Sequence, residues 1–285
     1  MCRWFGQLSA RPALAQRWLV QSERSLLKQA NAVPTQLQAD GWGIAWFDAS
    51  RQLHVEKGTE PVFQKGESER FRSAARKAKS SVVIGHVRRA SNPMGLPADR
   101  LVGMENSQPF AYGSTVFAHN GTIPYPLATR SALGRFDAEV HGVNDSEVLF
   151  WLLVRHLESS QNPPTAFGRA IADLIRVWRN RQSQSVGPYT GLNVVLSRGP
   201  DELWAFCKSR GEHGRALMDP DWPYYELAYS AAPELVLVAS EPLDGRDAGW
   251  KALHDGQYLY ATVEEKQVSV HTGTIPISPE AKLLA

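Results

Sequence analysis

The order of strand and helix patterns along the chain constrains its fold more than any single residue does. Runs of β-branched and apolar residues typical of strands recur up to residue 119 and return after residue 191. Between them, segments 144–157 and 165–179 carry apolar side chains at helical spacing. Because the patterns are grouped rather than alternating, we expect an α+β fold built in layers, not a parallel sheet of repeated βαβ units.

The same patterns predict the individual elements. The predicted strands are 2–8, 40–48, 52–57, 81–87, 115–119, 192–197, 202–207, 235–240, 257–263 and 266–271. The predicted helices are 12–30, 67–79, 144–157 and 165–179, the third opened by a capping box of Asn144 and Glu147. Segments 92–114 and 208–224 are predicted to be long loops. No linker interrupts the pattern, so we expect residues 1–285 to form one domain.

Composition excludes several classes of function. The net charge is only +2 and no dense run of lysine and arginine occurs, which argues against a nucleic-acid-binding protein. Two cysteines are too few for a disulfide framework, and no cysteine–histidine spacing suits zinc. The charged first 30 residues do not resemble a signal peptide, and no apolar run is long enough to cross a bilayer. We therefore expect a cytoplasmic protein; the sequence does not define its oligomeric state.

Cys2 is the residue with the clearest chemical potential. It follows the initiator directly, and because cysteine is small, we expect methionine aminopeptidase to remove Met1. The mature chain would then begin with a thiol and a free α-amine on one residue. A thiolate is the reactive form of cysteine, and an adjacent base promotes its formation. An N-terminal cysteine carries that base itself, although in most proteins a cysteine at position 2 is an ordinary residue.

Arginine and aspartate residues offer a pair of opposite charges. Arg88 and Arg89 follow the strand predicted at 81–87, and a planar guanidinium can hold both oxygens of a carboxylate. Asp145 opens the helix predicted at 144–157, where its carboxylate could bind a substrate ammonium. The plainer interpretations are a surface arginine at a strand end and an acidic residue in a first helical turn.

Asn120 and Gly121 follow the strand predicted at 115–119. Asn-Gly is a strong hairpin signal, so a plain turn is one interpretation. The other is an oxyanion hole, in which the asparagine amide and the glycine N–H donate to a developing negative charge. The glycines of segment 40–43 also have two interpretations: a tight turn, or a close approach of the backbone to a ligand or to Cys2.

Three further residues of reactive type receive structural interpretations. We expect His86 and His119 to make structural hydrogen bonds, and Cys207 to pack in the core. None of the three is assigned to a catalytic pair.

Together and in this order, these stretches resemble the class II glutamine amidotransferases, which are N-terminal-nucleophile hydrolases. The resemblance is carried by Cys2 and by segments 40–43, 85–88, 106–110, 117–121 and 145–147. Segment 238–244, with Trp250, is similar to the standalone, YafJ-type members. The resemblance covers about residues 2–250 and implies a four-layer αββα sandwich with Cys2 at the end of a central strand.

The resemblance also implies roles for individual residues. Cys2 matches the nucleophile and its α-amine the base, while Asn120 and Gly121 match the oxyanion hole. Arg88 matches the group that binds the α-carboxylate of glutamine. Asp145 matches the group that binds its α-ammonium. No metal or organic cofactor is implied.

Three positions differ from the common pattern of the family or match it less closely. Ser91 stands where the family often has a threonine near the substrate carboxylate. Arg3 follows Cys2 where many members have glycine, although the standalone subgroup tends to have arginine. Arg89 follows Arg88 where other members often have an aromatic or aliphatic residue, which leaves open which arginine faces the site. Since successive strand side chains point to opposite faces, only one should, and motif position favours Arg88.

The implied reaction is hydrolysis of the γ-amide of glutamine, or of a γ-glutamyl amide, through a thioester on Cys2. The 35 residues after Trp250 (251–285) leave no room for a synthase domain, so we expect a standalone hydrolase. A related possibility is a glutaminase subunit that passes ammonia to a partner synthase. Two further alternatives are an acylase for other amides, in which an Arg88–Asp145 clamp would have no purpose, and a catalytically silent scaffold.

Overall fold

The computed structural model describes residues 2–181, 186–210, 214–245 and 249–278. The strands in these ranges are β1 (Arg3–Leu14), β2 (Trp42–Phe47), β3 (Leu53–Gly58), β4 (Lys79–Val87), β5 (Phe110–Tyr112), β6 (Thr115–Gly121), β7 (Leu192–Ser197), β8 (Glu202–Cys207), β9 (Leu227–Ala232), β10 (Leu235–Ala239), β11 (Lys251–Leu253), β12 (Gln257–Glu264) and β13 (Gln267–Thr274). The α-helices are α1 (Leu26–Gln29), α2 (Glu67–Lys77), α3 (Ala98–Leu101), α4 (Pro126–Thr129), α5 (Asp145–Ser160) and α6 (Pro163–Arg179).

The strands form two antiparallel sheets. Sheet A has the order β11-β9-β10-β1-β4-β2-β3, and sheet B has the order β13-β12-β8-β7-β6-β5. Strand β1 is therefore the central strand of sheet A, between β10 from late in the chain and β4 from its first third. The start of the chain is enclosed on both sides by hydrogen-bonded neighbours.

Three apolar clusters define four layers. Trp4 of β1 and Val195 of β7 belong to the cluster between the two sheets. Phe71 of α2 belongs to the cluster that covers the outer face of sheet A. Leu149 of α5 and Ile171 of α6 belong to the cluster on the outer face of sheet B. The order helix, sheet, sheet, helix confirms the expected α+β fold and the αββα sandwich.

The residues that face the space between the sheets form what we call the inner face. It includes Trp4 of β1, Ile84 of β4 and Ala118 of β6. Because side chains alternate along a strand, the residues two positions away lie on the same face. These are Cys2, His86 and Asn120. Cys2, directly before β1, thus faces the same space between the sheets as His86 of β4 and Asn120 of β6.

The helix predicted at 12–30 is wrong. Strand β1 continues to Leu14, after a register shift between Leu8 and Ala13, and pairs with the beginning of β4. A π-helical turn at Arg17–Gln21 and the short α1 follow, separated by extended residues at Ser22 and Ser25. The predicted apolar positions still cover sheet A in part, but the long-range pairing of β1 overrides the local helical preference.

Smaller differences occur elsewhere. The predicted helices at 67–79, 144–157 and 165–179 correspond to α2, α5 and α6. Strands β5, β9 and β11 were not predicted; two of them have only three residues. Asn144 caps α5 by accepting from the Ser146 N–H, but Glu147 accepts from the N–H groups of His141 and Gly142, so the predicted capping box is not formed.

The described residues contain neither a candidate membrane span nor a candidate metal cluster. No helix there is both long and apolar enough to span a membrane. No three histidine, cysteine, aspartate or glutamate side chains in those ranges are grouped so that they could hold a metal ion.

Candidate active site

Cys2 lies just before β1, and its thiol contacts the backbone of Arg89. The Arg89 N–H donates to Sγ at 3.4 Å, and Sγ donates to the Arg89 carbonyl at 3.3 Å. Burial raises the pKa of the Cys2 thiol above its ordinary value, while the Arg89 N–H and the charge of Arg88 act in the opposite direction. The thiol is therefore neutral near pH 7 and needs a base before it can attack.

Arg88 is buried at the end of β4, and the protein uses only part of its guanidinium. Nη1 donates to the carbonyls of Asp40 and Leu101, at 3.2 and 2.7 Å. The backbone of Arg88 is also bonded, through its N–H to Gly41 and its carbonyl to Asp40. Within the described ranges both side-chain hydrogen bonds come from Nη1. The guanidinium is thus fixed in place while Nε and Nη2 remain for a ligand.

Asp145 is the first residue of α5 and is 1% exposed. Its Oδ1 accepts from Ser91 Oγ at 2.7 Å, and its Oδ2 accepts from the Ile123 N–H at 2.6 Å. The charge of Asp145 also acts on the pKa of the Cys2 thiol, which it raises. The structure therefore brings Ser91, Asp145 and Cys2 to one region, with the Ser91 hydroxyl held by the aspartate.

Asn120 and Gly121 end β6 rather than forming a turn. They pair with Asn193 and Leu192 of β7, so the hairpin interpretation is wrong. Gly121 has a φ of +155°, and a Cβ there would lie 1.8 Å from the Gly191 carbonyl oxygen. Only glycine fits this position. The side chain of Asn120 is 1% exposed, and neither its oxygen nor its nitrogen has a hydrogen-bond partner among the described residues.

Gln108 and His119 fix this end of β6. The Gln108 amide accepts from the His119 N–H at 2.6 Å and donates to the His119 carbonyl at 3.2 Å. His119 Nε2 lies 3.1 Å from the Gly191 carbonyl, and Nδ1 lies 2.9 Å from Ser146 Oγ. Because a carbonyl only accepts, Nε2 carries the proton and Nδ1 accepts from Ser146. Burial lowers the pKa of His119, and the structural interpretation of this residue is confirmed.

His86 does not follow the same expectation. It is fully buried, and neither ring nitrogen has a hydrogen-bond partner in the described part of the protein. Burial, with the charge of Arg88 adding to it, lowers the pKa of His86 well below its ordinary value. Cys207, in contrast, is a core residue as predicted. Its thiol donates to the Tyr225 carbonyl at 3.2 Å, and burial raises its pKa to about 12.

A hydrogen bond between the sheets places Cys2 and Asn120 at the same end of the sandwich. Trp4, two residues after Cys2, donates from Nε1 to the Asn193 carbonyl at 3.2 Å. Asn193 is the residue directly opposite Asn120 in the pairing of β6 with β7. The start of β1 therefore lies against the strand pair that carries the Asn-Gly motif.

Arg3 occupies the other face of β1 and forms a buried ion pair that sequence reasoning did not find. Its Nε lies 3.5 Å from Glu241 Oε1, and its guanidinium lies 4.8 Å from the centre of the Tyr224 ring. Glu241 Oε2 accepts from the N–H groups of Met218 and Asp219. The pair ties the beginning of β1 to segment 214–226. Its only sequence signal is the unusual charge next to Cys2.

Two glycines of segment 40–43 approach backbone that is not at Cys2. A Cβ on Gly41 would lie 2.7 Å from the Gly58 carbonyl oxygen, and one on Gly43 would lie 2.3 Å from the Gln108 carbonyl oxygen. The expected approach to Cys2 is therefore wrong: Gly41 lies against Gly58, and Gly43 lies against Gln108. Asp40 supports the site directly, because its Oδ2 accepts from the Ala90 N–H at 2.7 Å.

Comparison with known proteins identifies relatives of this chain. A family model described as "Glutamine amidotransferases class-II" matches residues 22–276. A glutamine aminotransferase class-II domain protein from Silicibacter pomeroyi superposes with a TM-score of 0.64 at 20% identity, over 96% of this chain and 100% of that one. No curated protein sequence matches.

Two larger structures share the fold. Glutamine phosphoribosylpyrophosphate amidotransferase from B. subtilis, solved with ADP and GMP, has a TM-score of 0.60 at 19% identity, over 97% of this chain and 50% of that one. An allosteric regulatory enzyme of purine biosynthesis has a TM-score of 0.61 at 19% identity, with the same coverage. This chain thus spans about half the length of each. The family match covers most of the chain, and the chain belongs to the class II glutamine amidotransferases, a family that hydrolyses the amide of glutamine or transfers its ammonia.

Proposed function

We propose that this chain hydrolyses the γ-amide of glutamine, or of a γ-glutamyl amide, through a thioester on Cys2. The observation that carries the proposal is the side chain of Asn120. It is buried on the inner face, at the end of the sandwich where Cys2 lies, and has no partner in the described protein. A buried amide without a partner is costly, and a substrate oxygen would remove that cost. The amide is thus suited to an oxyanion.

Two opposite charges suit the amino-acid end of the substrate. Arg88 can direct Nε and Nη2 to an α-carboxylate, since its own contacts use Nη1. Asp145 can accept from an α-ammonium in addition to its bonds with Ser91 and Ile123. Holding both ends places the γ-carbonyl at Cys2, and positioning of this kind contributes at most about 7–11 kcal/mol to lowering the barrier.

The chemistry begins with removal of Met1, which frees the α-amine of Cys2. This amine takes the thiol proton as Sγ attacks the γ-carbonyl carbon and a C–S bond forms. The oxyanion is held by Asn120 Nδ2 and the Gly121 N–H, each worth about 3 kcal/mol. The C–N bond then breaks, and the ammonium of Cys2 returns the proton to the leaving amine. Water finally attacks the thioester and releases glutamate, which restores the thiol and the α-amine.

A partner-dependent form of the same reaction is the second candidate. The observation that favours it is that the chain matches half of the B. subtilis amidotransferase, so the other half of that protein has no counterpart in residues 1–285. Ammonia would then pass to a separate synthase. Turnover that depends on a co-purifying protein would separate this candidate from a standalone hydrolase. In both cases we propose that residues 1–285 act as one domain, because β1 pairs with β4 and β10.

The first test is the intact mass of the protein before and after incubation with 6-diazo-5-oxo-norleucine, an electrophilic mimic of glutamine. We expect a chain that lacks Met1 and gains one adduct, located on Cys2. Cys207 is the internal control, because its buried thiol should stay unmodified. A Cys2→Ala variant should gain none. A chain without Met1 that gains no adduct would contradict a glutamyl site, and an unprocessed chain would favour the scaffold alternative.

A further inference from the structure

His86 and Asn120 are two buried polar side chains that the described protein leaves without a hydrogen-bond partner. All four of their polar side-chain atoms are unbonded, at exposures of 0% and 1%. The two residues lie on β4 and β6, which contact each other across the space between the sheets. Polar atoms buried in this way are normally satisfied by protein or by enclosed water.

The neighbours of His86 place its ring beside the peptide that leads into Asn120. His86 lies opposite Gly43 in the pairing of β2 with β4. Because Gly43 has no side chain, the Gln108 backbone approaches closely there, and the Gln108 amide binds both backbone groups of His119. The backbone of His119 favours a proton on the His86 ring, although no hydrogen bond of normal geometry joins the two.

The amide of Asn120 needs a second partner to act as an oxyanion donor. Its Nδ2 and Oδ1 are alike in shape, and the wrong orientation would direct an oxygen at the negative charge of the intermediate. No described protein group bonds to either atom. A group that binds Oδ1 from behind would select the productive orientation.

We propose that His86 is the positioning residue for Asn120 and acts through one enclosed water molecule. The ring N–H of His86 is turned to the His119 carbonyl, and the other ring nitrogen accepts one O–H of the water. The second O–H donates to Asn120 Oδ1, which leaves Nδ2 directed at the oxyanion. The inference rests on the proposed function, since it concerns the oxyanion of that reaction.

The charges around His86 suit this arrangement. Only a neutral imidazole keeps an acceptor nitrogen for the water. Burial keeps the pKa of His86 low, and the positive charges of Arg88 and Lys57 act in the same direction, as does His119 if it is protonated. The nearby carbonyl of His119 acts the other way and is the weaker influence. His86 is therefore neutral at the pH at which the thioester forms.

The test is a pair of substitutions assayed alone and together. We expect His86→Leu to lower kcat by roughly 10–100-fold with little change in KM, since losing a whole oxyanion donor costs about 10²–10³-fold. In an Asn120→Ala background the same change should lower kcat no further. His86→Gln should recover much of the activity, because its amide can still bind water. His156→Leu, which removes a histidine paired with Asp173, is the control for loss of a histidine.

Several outcomes would overturn the inference. If the fold-losses in kcat of His86→Leu and Asn120→Ala multiply in the double variant, the two residues have separate roles. If His86→Leu has the wild-type kcat, His86 has no role in the reaction. Iodoacetamide alkylation of Cys2, which needs no oxyanion hole, and the thermal midpoint report whether the variant is folded. If the wild type neither turns over nor takes the glutamine mimic, the proposed function fails. A high-resolution crystal structure then decides the inference, because a bridging water is either present between the two side chains or not.

Discussion

Two asparagines face each other across β6 and β7, and the protein treats them in opposite ways. Asn193 is fully bonded: Nδ2 donates to the Tyr225 carbonyl at 2.7 Å, and Oδ1 accepts from the Lys208 N–H at 3.1 Å. Asn120, its partner in register, has no hydrogen bond from its side chain among the described residues. Both are 1% exposed. The same residue type at the same depth is thus bonded to the protein in one strand and left without a protein partner in the other.

The contrast extends to the two faces of β1 and its neighbours. On the outer face, Arg3 and Glu241 are buried opposite charges that offset each other electrostatically, although Arg3 Nε and Nη2 and Glu241 Oε1 form no hydrogen bond within the described residues. On the inner face, the polar side-chain atoms of His86 and Asn120 are buried and uncharged, and they have no hydrogen-bond partner among the described residues. The first pair ties the start of β1 to the segment around Met218, and we propose that a substrate and one enclosed water satisfy the second pair. The opposite charges therefore lie on the outer face of sheet A, and the neutral polar groups lie between the sheets.

The largest expected effect concerns the compensated side. Arg3→Met leaves the Glu241 carboxylate buried without a counter-charge, which should lower the free energy of unfolding by about 3–5 kcal/mol. Adding Glu241→Gln should recover most of the loss, because the new amide has no charge and still offers an oxygen to the Met218 and Asp219 N–H groups. Urea denaturation of the single and double variants measures both steps. A double variant as unstable as Arg3→Met would contradict the charge explanation.

The next effect separates the two asparagines. Asn120→Ala should lower kcat by about 10²–10³-fold, or about 2.7–4 kcal/mol, without lowering stability, since it removes an amide that the protein leaves unbonded. Asn193→Ala should lower the free energy of unfolding by about 1–3 kcal/mol, because it leaves two bonded partners unsatisfied. Steady-state kinetics and thermal unfolding of both variants test the pair. If Asn120→Ala lowers the free energy of unfolding as much as Asn193→Ala does, the two asparagines do not differ in their contribution to stability.

A smaller effect is expected at the clamp for the substrate carboxylate. Arg88→Lys should raise KM for glutamine by roughly 10–100-fold, the equivalent of about 1.5–3 kcal/mol for a hydrogen bond to a charged group, because lysine cannot form the bidentate fork. Arg89→Lys provides the matched comparison, since Arg89 contacts Cys2 through its backbone. A larger rise in KM at position 89 than at position 88 would reverse the assignment of the two arginines.

The smallest effect is a pH dependence of stability. His86 and His119 both have a pKa below the ordinary value of 6.5, owing first to burial. Below pH 6.5 the unfolded chain therefore binds protons that the folded chain does not, and stability falls as the pH falls. The loss is at most about 1.4 kcal/mol per histidine for each pH unit below 6.5, and it continues only down to the pKa of that histidine in the folded chain. Urea denaturation between pH 7 and pH 5 measures the loss, and His86→Leu should reduce the slope.

Much of the fold could be predicted from local patterns. The continuous β-branched run of β4 and the apolar stripe of α6 are strong signals, and both elements were located to within a few residues. Strand β9 was not predicted, because its sequence Leu-Ala-Tyr-Ser-Ala-Ala lacks the typical composition of a strand and pairs only through β10 and β11. The helix predicted after Pro12 is wrong for the opposite reason, because pairing with β4 overrides a helical pattern in the sequence.

The order of the motifs predicted which residues belong to the candidate site. It could not predict the backbone conformation of those residues or the hydrogen bonds of their side chains. A local rule makes Asn120-Gly121 a turn, whereas pairing with β7 makes it the end of a strand. No sequence pattern shows that the Asn120 amide lacks a partner or that His86 differs from His119 in this respect. These are properties of what surrounds each side chain after folding. The Arg3–Glu241 pair joins residues too far apart in sequence to be matched by spacing.

The central position of β1 has a consequence for how the protein is made. The strand pairs on one side with β10, so Phe5 is opposite Ala239, and most of the chain must be synthesised before the second edge of β1 is covered. An aminopeptidase acts on an extended terminus, which the nascent chain offers before both edges of β1 are paired. If Cys2 is the nucleophile, we expect Met1 to be removed during translation, before β10 pairs with β1. Because β10 is synthesised late, one edge of β1 stays unpaired during most of translation, which gives the aminopeptidase time to act.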